Sequence, residues 1–272
     1  VTDLWRLTRA HNLLIAAAGV VAGGWIALGT VALPKLLACA ALSAIGLGAA
    51  GNAANDIADA TADRVNRPDR PLAAGRMRPE TAHLVVWLGA LLGLGAAALV
   101  SGWQVLIGAI ALLVMLGYSP WLKRYGLPGN LAVAAIAGLP LIYGALAVGR
   151  AVAGLVPWVL AGWIHLGREL VKDLQDETGD RALGRRTLPV RLGRSRAARV
   201  AWWCCVGFVP LSVVLPLAAH YSGAYFGVAV VAQLLVLVAG LGLRREQFGR
   251  ASLLLKAAMV VGLGALVLGG IA

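Results

Sequence analysis

From Thr81 to Leu122 the chain reads TAHLVVWLGALLGLGAAALVSGWQVLIGAIALLVMLGYSPWL, 42 residues between Glu80 and Lys123 without an Asp, Glu, Lys or Arg. Roughly 20 apolar residues cross the hydrocarbon core of a bilayer as a helix. The stretch therefore holds two crossings, broken at Ser101-Gly102-Trp103. The same reading extends outward. Arg9 to Lys35 and Lys35 to Asp56 enclose uncharged runs of 25 and 20 residues, and Arg124 to Arg150 and Arg150 to Arg168 enclose 25 and 17. Arg199 to Arg244 encloses 44, enough for two crossings broken at His220-Tyr221-Ser222-Gly223, and 16 residues follow Lys256. The expectation is an all-α integral membrane protein, a nine-transmembrane-helix bundle, with residues 1–272 as a single membrane domain.

Composition agrees. Of the 272 residues 60% are hydrophobic and 13% charged, and the mean hydropathy is +0.82. A soluble domain carries about 25% charged residues, so a water-exposed globule is excluded, as are a disordered chain and a disulfide scaffold. The first run follows Arg6 and Arg9 like a signal segment, but it is too long and has no small-residue cleavage site, so it reads as a retained helix. Cys39, Cys204 and Cys205 fall inside spans without metal-ligand spacing and read as packing residues.

Numbering the spans divides the loops into two sets. The N-terminus and every second loop carry Arg6 and Arg9, the five arginines from Arg64 to Arg78, Lys123 and Arg124, seven arginines from Arg181 to Arg199, and Arg244, Arg245 and Arg250. The opposite set holds little beyond Lys35 and Arg150. The positive-inside rule then places the N-terminus in the cytoplasm and the C-terminus outside. The net charge of +12 is thus spread over one membrane face, where it meets anionic headgroups. Nucleic acid is not an expected partner.

Most of the acidic residues sit in two places with matching spacing. Asn52, Asp56, Asp59 and Asp63 step by 4, 3 and 4, and Glu169, Asp173, Asp176 and Asp180 do the same. On a helix such steps align side chains along one face. These rows, at 52–63 and 169–180, lie at the C-terminal ends of the second and sixth spans, which run in the same direction. A merely solvated rim is the plain alternative. Yet like charges at i,i+4 repel, and carboxylates at a helix C-terminus oppose its dipole, so something cationic should offset them. Hard oxygen donors without a Cys or His pair point to Mg²⁺ or Ca²⁺. Six aspartates carry −6 and two Mg²⁺ ions return +4, so an anionic diphosphate needs further cations. Arg64, Arg67, Arg70, Lys123, Arg168 and Lys172 stand close by in sequence. A metal-bridged diphosphate at the mouth of a greasy bundle suggests prenyl transfer: cations stabilise the departing diphosphate and a dry cavity protects the allylic cation.

The run Asn55-Asp56-Ile57-Ala58-Asp59-Ala60-Thr61-Ala62-Asp63, with the turn-rich loop 64–78 after it, resembles the first aspartate-rich motif of the UbiA superfamily of intramembrane prenyltransferases. Lys172-Asp173-Leu174-Gln175-Asp176-Glu177-Thr178-Gly179-Asp180 resembles its second motif, and Arg9-Ala10-His11-Asn12 and Tyr118-Ser119-Pro120-Trp121-Leu122-Lys123-Arg124 are similar to its N-terminus and its loop between the fourth and fifth helices. The resemblance implies a nine-helix bundle and Mg²⁺ dependence. The second motif is most similar to that of digeranylgeranylglyceryl phosphate synthases. That implies attack by a glycerol hydroxyl on geranylgeranyl diphosphate, in archaeal-type ether lipid synthesis. Aromatic acceptors such as 4-hydroxybenzoate are the alternative, and a cation transporter is a remote one.

Asp56, Asp59, Asp63, Asp173, Asp176 and Asp180 are the expected catalytic metal ligands, direct or through water, with Asn52 beside them and Asn55 able to coordinate or cap. Arg67, Arg70, Lys123 and Lys172 are expected diphosphate contacts, with Arg9 a weaker one. Tyr118 and Asn130 either orient substrate or pack; Glu169 either completes its row or pairs with Lys172 or Arg168. Tyr143 and His165 read as packing residues, and Trp25, Trp103 and Trp158 as interfacial ones. Beyond prenyl diphosphate, a lipophilic acceptor and membrane lipid, no protein partner is implied.

Overall fold

The computed structural model describes residues 2–30, 34–182 and 184–270, and every regular element among them is a helix. A short α1 (Thr2–Thr8) leads into α2 (Ala10–Leu28) and α3 (Pro34–Ala58), followed by a short α4 (Ala60–Asn66), α5 (Pro79–Ala98) and α6 (Gly102–Tyr118). Then come α7 (Leu127–Ala147), α8 (Leu155–Ala182), a short α9 (Leu188–Leu192), α10 (Arg194–Ala218), α11 (Gly223–Leu243) and α12 (Phe248–Leu268). Single 3-10 turns at Leu122–Tyr125 and Ala151–Gly154 precede α7 and α8.

Among the described residues eight helices are long and apolar enough to cross a membrane: α2, α3, α5, α7, α8, α10, α11 and α12. The apolar α6 has 17 residues, about 25 Å at 1.5 Å per residue, against a core of about 30 Å. The 42-residue run is divided unevenly because three residues turn between α5 and α6 while Ser119–Trp121 leave the helix for the next turn. Both long runs break as their sequence suggests. Ser101 caps α6 by accepting a hydrogen bond from the Gln104 amide at 3.2 Å, and α10 and α11 are separated at Ala219–Ser222. Exposed Trp87, Leu91, Leu92, Trp103 and Leu113 leave the outer surface apolar, as lipid contact requires.

Helix α7 lies between α2 and α8; α3 packs on α2 and α5; α10 and α12 pack on α8, and α11 packs on both of them. Small residues set the closest approach. A Cβ on Gly144 of α7 would fall 1.8 Å from the Val20 carbonyl oxygen of α2, and one on Gly23 would fall 1.9 Å from that of Leu141. Such backbone proximity stabilises helix pairs in lipid through dispersion.

Two features position the acidic rows. Helix α8 has 28 residues, about 42 Å, so its last turns project beyond the apolar layer. Leu170, Val171 and Leu174 bury one face of it in the core, which turns the interleaved Glu169, Asp173 and Asp176 to the other. The first row departs from the straight helix that its spacing suggests: α3 stops at Ala58, and Asp59 sits at φ −92°, ψ 0° before α4. Helical hydrogen bonds persist across the bend, from Asp59 N–H to Asn55 and from Asp63 N–H to Asp59, so the row is bent rather than broken. Helix α1, unforeseen in the sequence, docks by burying Leu7 against Ala53 and Ala82.

Candidate active site

The two rows face each other across one cavity of about 360 Å³. Asn55 of α3, Asp59 at the bend and Asp63 of α4 line it on one side, and Glu169, Asp173, Asp176 and Asp180 line it from α8. Tyr118 and Ser119 close it at the end of α6, Lys123 from the following turn and Asn130 from the start of α7. Six carboxylates on its wall meet six cations: Arg9, Arg67, Arg70, Lys123, Lys172 and Arg185.

That balance is visible bond by bond. Lys123 pairs with Asp59, and Arg70 with Asp63. Arg185 reaches both rows, with Nη1 3.0 Å from Asp180 Oδ1 and Nη2 3.6 Å from Asp59 Oδ1. Glu169 is held by Lys172 at 2.8 Å and Arg168 at 3.4 Å, which is the pairing alternative of the sequence reading. Asn130 Nδ2 donates to Asp173 Oδ2 at 2.8 Å, and Ser119 Oγ donates to Asn55 Oδ1 at 3.1 Å. Asp176 lines the cavity without a side-chain partner among the described residues. Burial pushes the Lys123 ammonium below the ordinary lysine range, while the Asp59 carboxylate opposes the shift.

Not every expected site residue faces this cavity. Asp56, nearly fully buried, turns to the N-terminal side, where Arg9 Nη2 lies 2.7 Å and Arg70 Nη1 3.1 Å from its Oδ1. It lines an adjoining cavity of about 560 Å³ instead. Asn52 donates to the Thr8 carbonyl at 2.8 Å and accepts from Arg9 at 3.4 Å. Both residues thereby hold Arg9, whose backbone sits in the left-handed region at φ 51°, a conformation that costs on the order of 1 kcal/mol for a side chain of this kind. Arg67 lines both cavities.

Sequence reasoning missed Arg185, Ser119 and Thr187 as wall residues. Arg185 was one of seven arginines counted for topology. A turn signal was nevertheless present: Gly184 adopts φ 65°, and Thr187 with Pro189 starts α9, so the chain doubles back to the cavity after α8.

The donors suit a hard cation. Among the described residues no three His, Cys, Asp or Glu side chains converge on one metal-sized point; Asp59, Asp63, Glu169 and Asp180 are each drawn toward a basic partner. Mg²⁺ takes one or two carboxylates from a protein and completes its shell with water and phosphate oxygens. Two facing rows of single carboxylates fit that demand.

Comparison with known proteins agrees with this architecture. Residues 15–265 match the UbiA prenyltransferase family. The chain is 38% identical over 261 residues to the digeranylgeranylglyceryl phosphate synthase of Thermococcus gammatolerans, covering 93% of this chain and 92% of that protein. It is 35% identical over 269 residues to the synthase of the same name from Halobacterium salinarum, covering 98% and 96%. A solved structure from work on digeranylgeranylglyceryl phosphate synthase superposes with a TM-score of 0.85 at 25% identity, over 99% of this chain and 98% of that one. A UbiA homologue from Archaeoglobus fulgidus bound to GPP and Mg²⁺ shares the fold, with a TM-score of 0.67 at 17% identity over 97% and 99%. The cation-transporter reading is thereby set aside. Motifs, fold and relatives give one answer: this multi-pass integral membrane protein belongs to the UbiA prenyltransferase family.

Proposed function

We propose that this prenyltransferase moves a geranylgeranyl group from its diphosphate to geranylgeranylglyceryl phosphate, the acceptor of archaeal-type ether lipid synthesis, with Mg²⁺ as cofactor. The observation that carries the reading is the pair of carboxylate rows facing one cavity in charge balance with six cations. The names of relatives 33–38% identical over most of the chain support the acceptor.

Asp59, Asp63, Asp173, Asp176 and Asp180 would hold Mg²⁺, two ions in all, with Asn55 as a neutral oxygen donor. Asp56 and Asn52 act from behind, through Arg9 and Arg70. When bound, the metal neutralises charge on the diphosphate oxygens. The chain's own cations do the rest. Lys123, Lys172, Arg67, Arg70 and Arg185 orient the diphosphate and stabilise the charge it gains as the C1–O bond breaks. It leaves with the bonding electron pair, the acceptor hydroxyl oxygen forms a new bond to C1, and the hydroxyl proton passes to the departing diphosphate. Tyr118, which lines the cavity at the end of α6, helps to keep water from the allylic cation.

In this reading α6 is the ninth span despite its length, since a 17-residue helix is at the lower limit for crossing. Residues 1–272 form one membrane domain, with the cavity and N-terminus cytoplasmic and the C-terminus outside, as the arginine-rich loops favour. The test is product formation from labelled geranylgeranyl diphosphate with and without Mg²⁺, offered geranylgeranylglyceryl phosphate, 4-hydroxybenzoate, homogentisate and a dihydroxynaphthoate. Ether product with the glyceryl phosphate alone supports the proposal. Preference for an aromatic ring overturns the acceptor assignment.

A further inference from the structure

The adjoining cavity of about 560 Å³ has a different electrostatic character from the acidic one. Arg6, Arg9, Arg67 and Arg70 line it against only Asp56 and Asp69, which leaves two positive charges in excess. Arg9 and Arg70 are engaged by Asp56. Arg6 and Arg67 form no side-chain hydrogen bond or ion pair among the described residues. Guanidinium forks match phosphate oxygens and need no metal to do so. We infer that this second cavity seats the phosphate monoester of the acceptor, an inference that rests on the acceptor being a glyceryl phosphate.

Two further observations bear on it. Arg9, Arg67 and Arg70 line both cavities, so a row of guanidinium groups separates donor diphosphate from acceptor phosphate. In any glyceryl phosphate the phosphate and a free hydroxyl sit on neighbouring or next-neighbouring carbons, so a phosphate anchored there directs the hydroxyl toward the donor. Secondly, Leu4 and Trp5, next to Arg6, are 44% and 54% exposed. An exposed Trp beside an arginine suits the headgroup layer, so a lipid phosphate reaches the pocket without leaving its depth.

Arg6 lines only the second cavity, which makes Arg6→Ala the discriminating variant. The full-length protein in nanodiscs is assayed for the KM of each substrate, and for binding of labelled geranylgeranylglyceryl phosphate in EDTA without donor. Loss of one charge-assisted contact is expected to raise the acceptor KM and Kd about tenfold, leave the donor KM within about twofold, and have no effect with geranylgeranylglycerol, which lacks the phosphate. Asp69→Asn should shift acceptor affinity the opposite way, which a folding defect would not do. Unchanged acceptor values in Arg6→Ala, an equal loss with geranylgeranylglycerol, or acceptor binding abolished by EDTA would overturn the assignment. So would discs rich in phosphatidylglycerol that erase the difference, since they would mark a general headgroup site. If the wild type neither binds nor converts the glyceryl phosphate but prenylates an aromatic acceptor, the functional reading has failed as well. If the wild type converts it and Arg6→Ala is indifferent, only the second site has failed.

Discussion

Asp59 on the first acidic row and Asp180 on the second share one arginine: Arg185 lies 3.6 Å from the former and 3.0 Å from the latter. Among the described residues it is the one cation paired with both rows, and its side chain is one-fifth exposed. In the proposed mechanism it stabilises the negative charge that the departing diphosphate gains. Arg185→Gln is expected to lower kcat/KM for the prenyl diphosphate about 100-fold. Arg185→Lys should recover only part of this, since a point charge cannot bridge two carboxylates as a fork does. Steady-state kinetics with helicity checked by circular dichroism decides; wild-type rates in Arg185→Gln would contradict the role.

Asp56 and Asp173 occupy corresponding places in the two spacings, yet their surroundings differ. Asp56 is buried between Arg9 and Arg70, whereas Asp173 lines the cavity with Asn130 as its hydrogen-bond partner. Asp56→Asn should therefore lower both activity and thermal stability, by several degrees in Tm, because it leaves buried guanidinium charge uncompensated. Asp173→Asn should lower turnover by about 100-fold or more with Tm unchanged or raised, since it removes repulsion from Glu169 and Asp180. Thermal melting in detergent beside activity assays checks the contrast, and equal losses of Tm would refute it.

Lys123 reaches into the cavity from the turn after α6 and pairs with Asp59. Lys123→Met is expected to raise the KM for the prenyl diphosphate about tenfold, with Lys123→Arg restoring most of the loss. A change confined to the acceptor KM would place Lys123 elsewhere in the mechanism.

The α2–α7 contact carries no chemistry, and it offers a separate check on the fold. Gly144→Leu places a side chain where the Val20 backbone already lies, 1.8 Å from the first added carbon. The helices would have to part, so Tm should fall sharply and yield should drop. Gly262→Leu, where an added Cβ meets open space, should be tolerated. Similar melting of both variants would contradict the packing.

Much of this was legible in the sequence, because lipid imposes a simple code. Charge-free runs announced the spans, and both long runs broke at the polar residues that their length demanded. The acidic spacing marked out two aligned rows, and Asp59, Asp63, Asp173, Asp176 and Asp180 from those rows line one cavity. Two things escaped. The regular 4, 3, 4 spacing gave no sign of the bend at Asp59, nor that Asp56 and Asp59 line different cavities. Arg185 was hidden among like residues: on a face where every loop is basic, only the path of the chain after α8 separates a site arginine from a topological one. The 17-residue length of α6 was not readable either, since hydropathy does not report where a helix unwinds into a turn.

The most direct measurement is calorimetric binding of a non-reactive geranylgeranyl thiodiphosphate, with and without Mg²⁺, to the wild type and to variants in either row. If both rows grip one metal-bridged headgroup, wild-type affinity rises strongly with Mg²⁺, and Asp59→Asn and Asp173→Asn each abolish that gain. Mg²⁺-dependent binding that survives the loss of either row would contradict a shared site.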